Sequence, residues 1–236
     1  MRSFLVMAMF LASFAHAAWT DYEEVRDLSL DTDGIGQLDI RAGAGSLDVQ
    51  GVDGQDSIVV KATIIVVDAD EDEAARIIAK RMELSLDERD GKAILESDFG
   101  GGFMGAETNA RIDLEVTVPA GLDLTIDDGS GSVDVRDVAA DVKIDDGSGS
   151  IDVENVANLL IDDGSGSIDV ERVAGDVNVT DGSGSISVRG VAGSVTIDDG
   201  SGSIKVSDVE EDLIIVDDGS GGLKFSDIRG TVEQDT

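Results

Sequence analysis

Acidic residues recur at one fixed place in the second half of this chain, directly before alternating glycines and serines. The phrase DDGSGS, or a close variant of it, starts at Asp127, Asp145, Asp162, Thr180, Asp198 and Asp217. The copies begin 18, 17, 18, 18 and 19 residues apart, which is typical of stacked repeats. If the copies stack in parallel, their carboxylates form ladders with about 4.8 Å between neighbours. Carboxylate oxygens arranged in this way suit a cation such as Ca²⁺.

The second acid of each phrase is the candidate calcium ligand: Asp128, Asp146, Asp163, Asp181, Asp199 and Asp218. Like charges at this spacing repel by roughly 1 kcal/mol per pair in water. Bound Ca²⁺, raised carboxyl pKa values, or hydrogen bonds from turn N–H groups and Ser hydroxyls would relieve that repulsion. The alternative is a set of solvated turns in which Asp accepts from the following Gly-Ser backbone. The calcium-coil phrase GGxGxDxUx places Asp after the glycines, whereas these acids come before them.

Apolar residues within each repeat predict the elements that must position these acids. One repeat carries Ile151, Val153, Val156, Leu159 and Ile161, in two short alternating runs separated by turns. Alternation with a period of two indicates strands, and each glycine pair would cost roughly 1 kcal/mol per glycine inside a helix. We therefore predict an all-β fold with one short helix. Its architecture is a parallel β-solenoid, or β-helix, with coils of about 18 residues and two strands per coil.

The chain before the repeats is predicted to form the start of the solenoid. Residues 18–36 are a lead-in segment or a short edge strand, and residues 37–121 are strand-rich, with a helix over 71–82 and a hairpin over 83–98. The regular repeats occupy 122–236. The sequence LDIRAGAGSLDV from Leu38 can be laid over LTIDDGSGSVDV from Leu124, so we interpret it as a degenerate first copy. Arg41 and Ala42 replace its two acids, which indicates that the turn forms without them.

Residues 1–17 have the pattern of a secretory signal peptide. Arg2 is followed by an apolar run, and Ala15-His16-Ala17 fits a signal-peptidase site. We expect an exported protein in the periplasm, outside the cell or at the cell surface. The mature chain has no stretch that approaches the roughly 20 apolar residues of a membrane span. An N-terminal membrane anchor is the alternative.

Composition excludes several classes of function. Without the leader, 16 basic and 51 acidic residues leave a formal charge of −35. Such a chain repels nucleic acid and anionic membranes and attracts cations or basic partners. The chain has no cysteine, and its only histidine, His16, lies in the leader. The usual nucleophile–base pairs and nearly all transition-metal sites are therefore excluded. Only five aromatic residues remain, which is few for a sugar-stacking cleft.

The order of these elements, a strand ending VPAG at Val118–Gly121, and repeats of the form GSGSIDV resemble the bacterial putative-adhesin family of unknown function. The resemblance covers residues 38–228. It implies a parallel β-solenoid of the cell envelope and supplies no catalytic residues. We therefore expect a non-catalytic envelope or surface protein and not an enzyme. It would be an adhesin or a scaffold that binds a surface glycan or an envelope protein.

Two other functions remain open at the level of sequence. One is a Ca²⁺-stabilised structural solenoid without a specific ligand. The other is a polysaccharide-active β-helix enzyme, for which Arg136, Lys143, Arg172 and Arg189 are the candidate basic residues. The small coil, the few aromatic residues and the lack of long loops to wall a cleft argue against the enzyme.

Overall fold

The computed structural model describes residues 21–100 and 109–234, and the predicted leader lies outside these ranges. It confirms the predicted fold class, because the described chain is all-β with one short helix and winds into a parallel β-solenoid. Equivalent residues of successive coils lie about 18 residues apart. No helix in the described ranges is long and apolar enough to cross a membrane.

The first part of the described chain contains six strands and the helix. They are β1 (Tyr22–Asp31), β2 (Gln37–Val52), β3 (Ser57–Val66), α1 (Glu71–Arg81), β4 (Met82–Arg89), β5 (Lys92–Phe99) and β6 (Ala110–Pro119). The segment expected as a lead-in or short edge strand contains the ten-residue strand β1, which pairs antiparallel with β3. Helix α1 starts at an Asp70 cap, whose carboxylate accepts the N–H of Glu73, and it buries Ala74 and Ile78. The turn between β4 and β5 is Asp90-Gly91, with both residues at positive φ.

Strand β2 is the first coil of the solenoid. It pairs in parallel with β7 (Asp123–Val138), and Leu38 lies opposite Leu124 and Leu47 opposite Val133. This is the register that the sequence overlay predicts. The other edge of β2 pairs in parallel with β5 and then with β6. Since Arg41 and Ala42 stand in β2 opposite the first acidic pair, the backbone of this turn does not require acids.

The remaining strands repeat one pattern. They are β8 (Val142–Asp146), β9 (Gly149–Val156), β10 (Leu159–Asp163), β11 (Gly166–Val173), β12 (Val177–Asp181), β13 (Gly184–Val191), β14 (Val195–Asp199), β15 (Gly202–Val209), β16 (Leu213–Asp217), β17 (Gly222–Ile228) and β18 (Val232–Gln234). A short strand leads through the Gly-Ser turn into a long strand, and a second turn leads to the next coil. Short strands stack on short strands and long on long, always in parallel. Alternate Val, Ile and Leu side chains point inward and form the core.

The second turn of each coil is fastened to its neighbour by side chains. The Asn158 side chain donates to Asp141 Oδ1 (2.7 Å) and accepts the backbone N–H of Asp176 (2.9 Å). Asp176 in turn accepts the N–H of Ser194 at 2.9 Å. Each side chain thus serves the backbone of the following coil, so the acids at this turn are hydrogen-bonded within the stack.

Candidate functional site

The second acids of the repeated phrase lie inside the solenoid. We call five of them the inner aspartate column: Asp128, Asp146, Asp163, Asp181 and Asp199. Each lies opposite the next across parallel short strands, and their exposed fractions are between 0% and 4%. The predicted stacking of these acids is therefore confirmed. These acids are not solvated, because strand alternation points them to the same side as the core residues Val142 and Ile144. The hydrogen bond from the following Gly-Ser backbone, which the solvated-turn interpretation also predicts, is present in four coils.

Four carboxyls of the column have one oxygen with a hydrogen-bond partner and one without. Oδ1 of Asp146, Asp163, Asp181 and Asp199 accepts the backbone N–H of the serine two residues later, at 2.9–3.2 Å. This contact closes the Gly-Ser turn as an Asx turn. Oδ2 of all five aspartates is buried without a hydrogen-bond partner. Buried polar atoms without partners are rare in folded proteins, so these five require a physical explanation.

Burial shifts the acidity of the column. Loss of solvation raises the pKa of Asp128 to about 7, with a further contribution from the charge of Asp146. Burial likewise raises the pKa of Asp163 to about 6, although the N–H of Ser165 opposes the shift. The pKa values of Asp146, Asp181 and Asp199 are also raised by burial and lowered in part by the serine N–H groups that they accept. The whole column therefore favours the neutral carboxyl more than free aspartate does.

Asp218 is not part of this column, so the predicted ladder of six ends after five. The last repeat has one extra residue, and the pairing shifts between Ile197 and Asp198. Asp218 is half-buried and accepts a hydrogen bond from Gln234 Nε2 at 3.2 Å. Asp217 makes the turn contact instead, accepting the N–H of Gly219 at 2.8 Å. The spacing of 19 residues in the sequence is the signal that could have revealed this change.

A calcium site needs several oxygen donors around one point. Within residues 21–100 and 109–234, no group of three or more Asp, Glu, His or Cys side chains is arranged to hold a metal ion. The column offers one unpaired oxygen per coil, whereas Ca²⁺ takes six to eight oxygen ligands at about 2.3–2.6 Å. The column thus supplies carboxylates of the expected type but too few around any one point.

The first acids of the phrase point outward and form a second column. We call Asp127, Asp145, Asp162 and Asp198 the outer acid column. Asp162 and Asp198 lie on either side of Thr180 in the stack. None of the ion pairs among the described residues involves a member of this column. It is an exposed line of negative charge that the protein leaves unneutralised.

The basic residues considered for an enzyme do not converge. Arg136 pairs with Asp134 at 2.5 Å. Arg172 pairs with Glu154, and Arg189 pairs with Glu171. Lys143 is exposed on the outside of β8. These three arginines occupy ion pairs on the outer surface of the long strands, so none of them is placed as a base beside the inner aspartate column.

Two shallow depressions lie beside the first two Gly-Ser turns of the stack, those of β2 and β7. One, of about 370 Å³, is lined by Gly43, Ala44, Asp98, Phe99, Ala110, Gly129 and Ser130. The other, of about 450 Å³, contains Arg111 and Asp113, which pair with each other at 3.5 Å. Asp113 Oδ1 also accepts the N–H of Ser46 at 3.0 Å. The ionisable groups of the second depression therefore have structural partners, and the first contains a single carboxylate.

Comparison with known proteins gives matches in solved structures alone. No family model and no curated protein matches the chain. A putative adhesin from Parabacteroides distasonis is 14% identical, with 90% of this chain and 97% of that chain covered and a TM-score of 0.43. The chain is similar to solved putative adhesins over about 90% of its length.

Two further solved structures give similar values. A putative lipid binding protein from Parabacteroides distasonis is 12% identical, with 90% and 94% coverage of this chain and that chain and a TM-score of 0.41. A putative cell adhesion protein from Clostridium sporogenes is 12% identical, with 92% and 100% coverage and a TM-score of 0.34. Identities and TM-scores this low carry no argument about function.

Proposed function

We propose that this protein is a non-catalytic scaffold of the cell envelope or cell surface that binds a protein partner on its sheet faces. One observation supports this most. The repeated carboxyl cluster, which is the most regular chemistry in the sequence, is enclosed in the core and no more than 4% exposed. A substrate cannot reach it, so its carboxyls have a structural role. A partner would therefore bind on the outer faces of the stacked strands.

The charge of the short-strand face favours a basic protein as the partner. The outer acid column lies on this face and takes part in no ion pair of the described residues. Its field attracts a cationic surface and repels anionic glycans and lipids. Sugar recognition usually employs aromatic side chains, and the repeats contain one aromatic residue, Phe225, which lies in β17 at the end of the stack. A positively charged patch on an envelope protein is the partner that these features fit.

The test uses a short oligolysine peptide as a defined cationic probe, with residues 18–236 of the protein. We expect binding that weakens as salt rises from about 0.1 M to 1 M, where the Debye length falls from about 10 Å to 3 Å. Replacing Asp127, Asp145, Asp162 and Asp198 with Asn should abolish most of this binding. The control variant neutralises four exposed acids away from that face: Asp53 and Asp56, which follow β2, and Asp152 and Asp169, which lie on the long strands β9 and β11. Equal loss in both variants would show a non-specific effect of net charge and contradict the proposal.

A glycan array tests the other class of partner with the same protein. Salt-resistant binding to a defined glycan, unchanged in the outer-column variant, would replace the protein partner with a carbohydrate. Release of products from an acidic polysaccharide would overturn the non-catalytic assignment.

A calcium-stabilised solenoid is the second candidate, and the five unpartnered Oδ2 atoms are the observation that favours it. Bound Ca²⁺ would stabilise the fold by mass action. This candidate requires metal-stripped protein to melt at a higher temperature with millimolar Ca²⁺ than at matched ionic strength with Mg²⁺ or Na⁺. Equal melting temperatures in the three salts would eliminate it.

A further inference from the structure

The five unpartnered oxygens of the inner aspartate column occupy equivalent places in successive coils. Parallel pairing holds these carboxyls at the inter-strand spacing of about 4.8 Å. Aliphatic side chains of the core, such as Ile144 and Ile161, lie on the same inward side of the strands. A row of ionised carboxylates at this spacing, cut off from water, would suffer both desolvation and mutual repulsion. Some positive species must relieve it.

Among the residues that the structure describes, no basic side chain pairs with the column. The charged side chains that act on it most strongly are themselves aspartates. The outer neighbours Asp127, Asp145 and Asp198 and the terminal pair Asp217 and Asp218 all oppose ionisation of the column. At the other end, Ala42 of β2 lies opposite Asp128 and is uncharged. The charged neighbours of the column therefore oppose its ionisation, and the turn N–H groups that its carboxyls accept favour it.

We infer that the inner aspartate column is a proton-binding site, in which neutral carboxyls keep Oδ1 as acceptor for the turn N–H and carry the proton on Oδ2. The Oδ2–H group so formed can donate a hydrogen bond to a carboxyl oxygen of the aspartate in the next coil. Each Oδ2 that now lacks a partner would then take part in a hydrogen bond. A proton needs two oxygen neighbours and no cage, whereas Ca²⁺ needs six to eight ligands. The described residues contain no group that meets the metal requirement. The inference is independent of the partner proposed for the outer faces.

The raised pKa values of Asp128 and Asp163 agree with this assignment, since a buried acid that stays neutral titrates above its ordinary range. The consequence is a fold that gains stability on mild acidification. The column holds protons that the unfolded chain releases, so the free energy of unfolding falls as pH rises through the titration of the column. This is the reverse of ordinary acid denaturation, in which paired carboxylates are lost as pH falls.

The test is a ¹³C NMR titration of the full mature chain with aspartate labelled at the carboxyl carbon. We expect signals with midpoints near 6 for Asp163 and near 7 for Asp128. The variants Asp128→Asn and Asp163→Asn should each remove one of these signals. The matched outer variants Asp127→Asn and Asp162→Asn should keep both. Because the wild-type spectrum itself shows the titration, the test does not depend on any variant folding.

Two results would overturn the inference. In the first, every aspartate signal completes its titration below about pH 5, as in free side chains. In the second, Ca²⁺ but not Mg²⁺ shifts the signals of the column in metal-stripped protein at pH 7, which would assign the column to the metal. Signals that titrate near 6 to 7 and do not respond to Ca²⁺ support the proton.

Discussion

Replacing Gly166 with alanine is expected to destabilise the folded protein by about 3 kcal/mol or more, the sum of backbone strain and overlap. Gly166 has a φ of +152°, a region that side-chain-bearing residues rarely adopt. A Cβ at this position would also overlap the carbonyl oxygen of Gly149 in the preceding coil. Gly149 meets Gly131 in the same way, so the column of second glycines lets the backbones of the turns stack directly. Urea unfolding at pH 7 measures the effect.

The matched control is Gly190→Asn, at the arch within the long strand β13. Gly190 also has a positive φ, +75°, but a Cβ there would meet no atom closer than 3.6 Å. Asn155 and Arg172 occupy the same arch in other coils at φ values of +58° and +59°. We expect Gly190→Asn to change the free energy of unfolding by less than about 1 kcal/mol. Equal losses in the two glycine variants would contradict the proposed stacking of the turns.

Replacing Asp146, Asp163 and Asp199 with Asn is expected to raise the free energy of unfolding by about 3 kcal/mol at pH 8. Asn keeps an Oδ1 that accepts the serine N–H, and it has no charge to bury. Leaving a buried polar group unsatisfied costs about 1–3 kcal/mol, and an ionised carboxylate costs at least as much. The control variant changes the exposed neighbours Asp145, Asp162 and Asp198 to Asn, so that the same net charge is removed one residue away.

The direction of the pH effect follows from the raised pKa values. An unfolded aspartate has a pKa near about 3.9, whereas Asp163 and Asp128 titrate near 6 and 7 in the folded protein. Stability from the protonated column is complete below about pH 4, declines as pH rises from there through the folded pKa values of about 6 and 7, and then levels off. The inner variant should therefore gain most over wild type at pH 8 and least below about pH 4. An outer variant with the same gain would indicate general charge repulsion instead.

Sequence reasoning could predict the coil because each coil repeats a local pattern. The alternation of Ile151 and Val153 and the period of the glycines determine strands, turns and parallel stacking. The overlay of Leu38 on Leu124 even determines the register of the first coil. The antiparallel placement of β3 between β1 and β6 could not be predicted, because these contacts join distant segments that share no motif.

The sequence predicted which aspartates stack on one another, but it did not predict that they lie inside the core. The alternation Val142, Ile144, Asp146 already places the second acid on the inward side of the strand. The prediction followed instead the general rule that carboxylates are exposed to solvent. The neutral state of a carboxyl removes the conflict, because a protonated aspartate is a short polar side chain and not a charge. Asp218 was wrongly included in the column for a different reason: one inserted residue, Val216, shifts the last short strand against its neighbour.

Proton release on unfolding tests the central claim most directly. Calorimetric unfolding at pH 6.5, repeated in buffers of different ionisation enthalpy, gives the number of protons exchanged. We predict that the wild-type protein releases protons when it unfolds, because the folded column binds more than the unfolded chain does, and that the Asp146, Asp163 and Asp199 to Asn variant releases fewer. Proton uptake, or no exchange at all in the wild-type protein, would contradict the account.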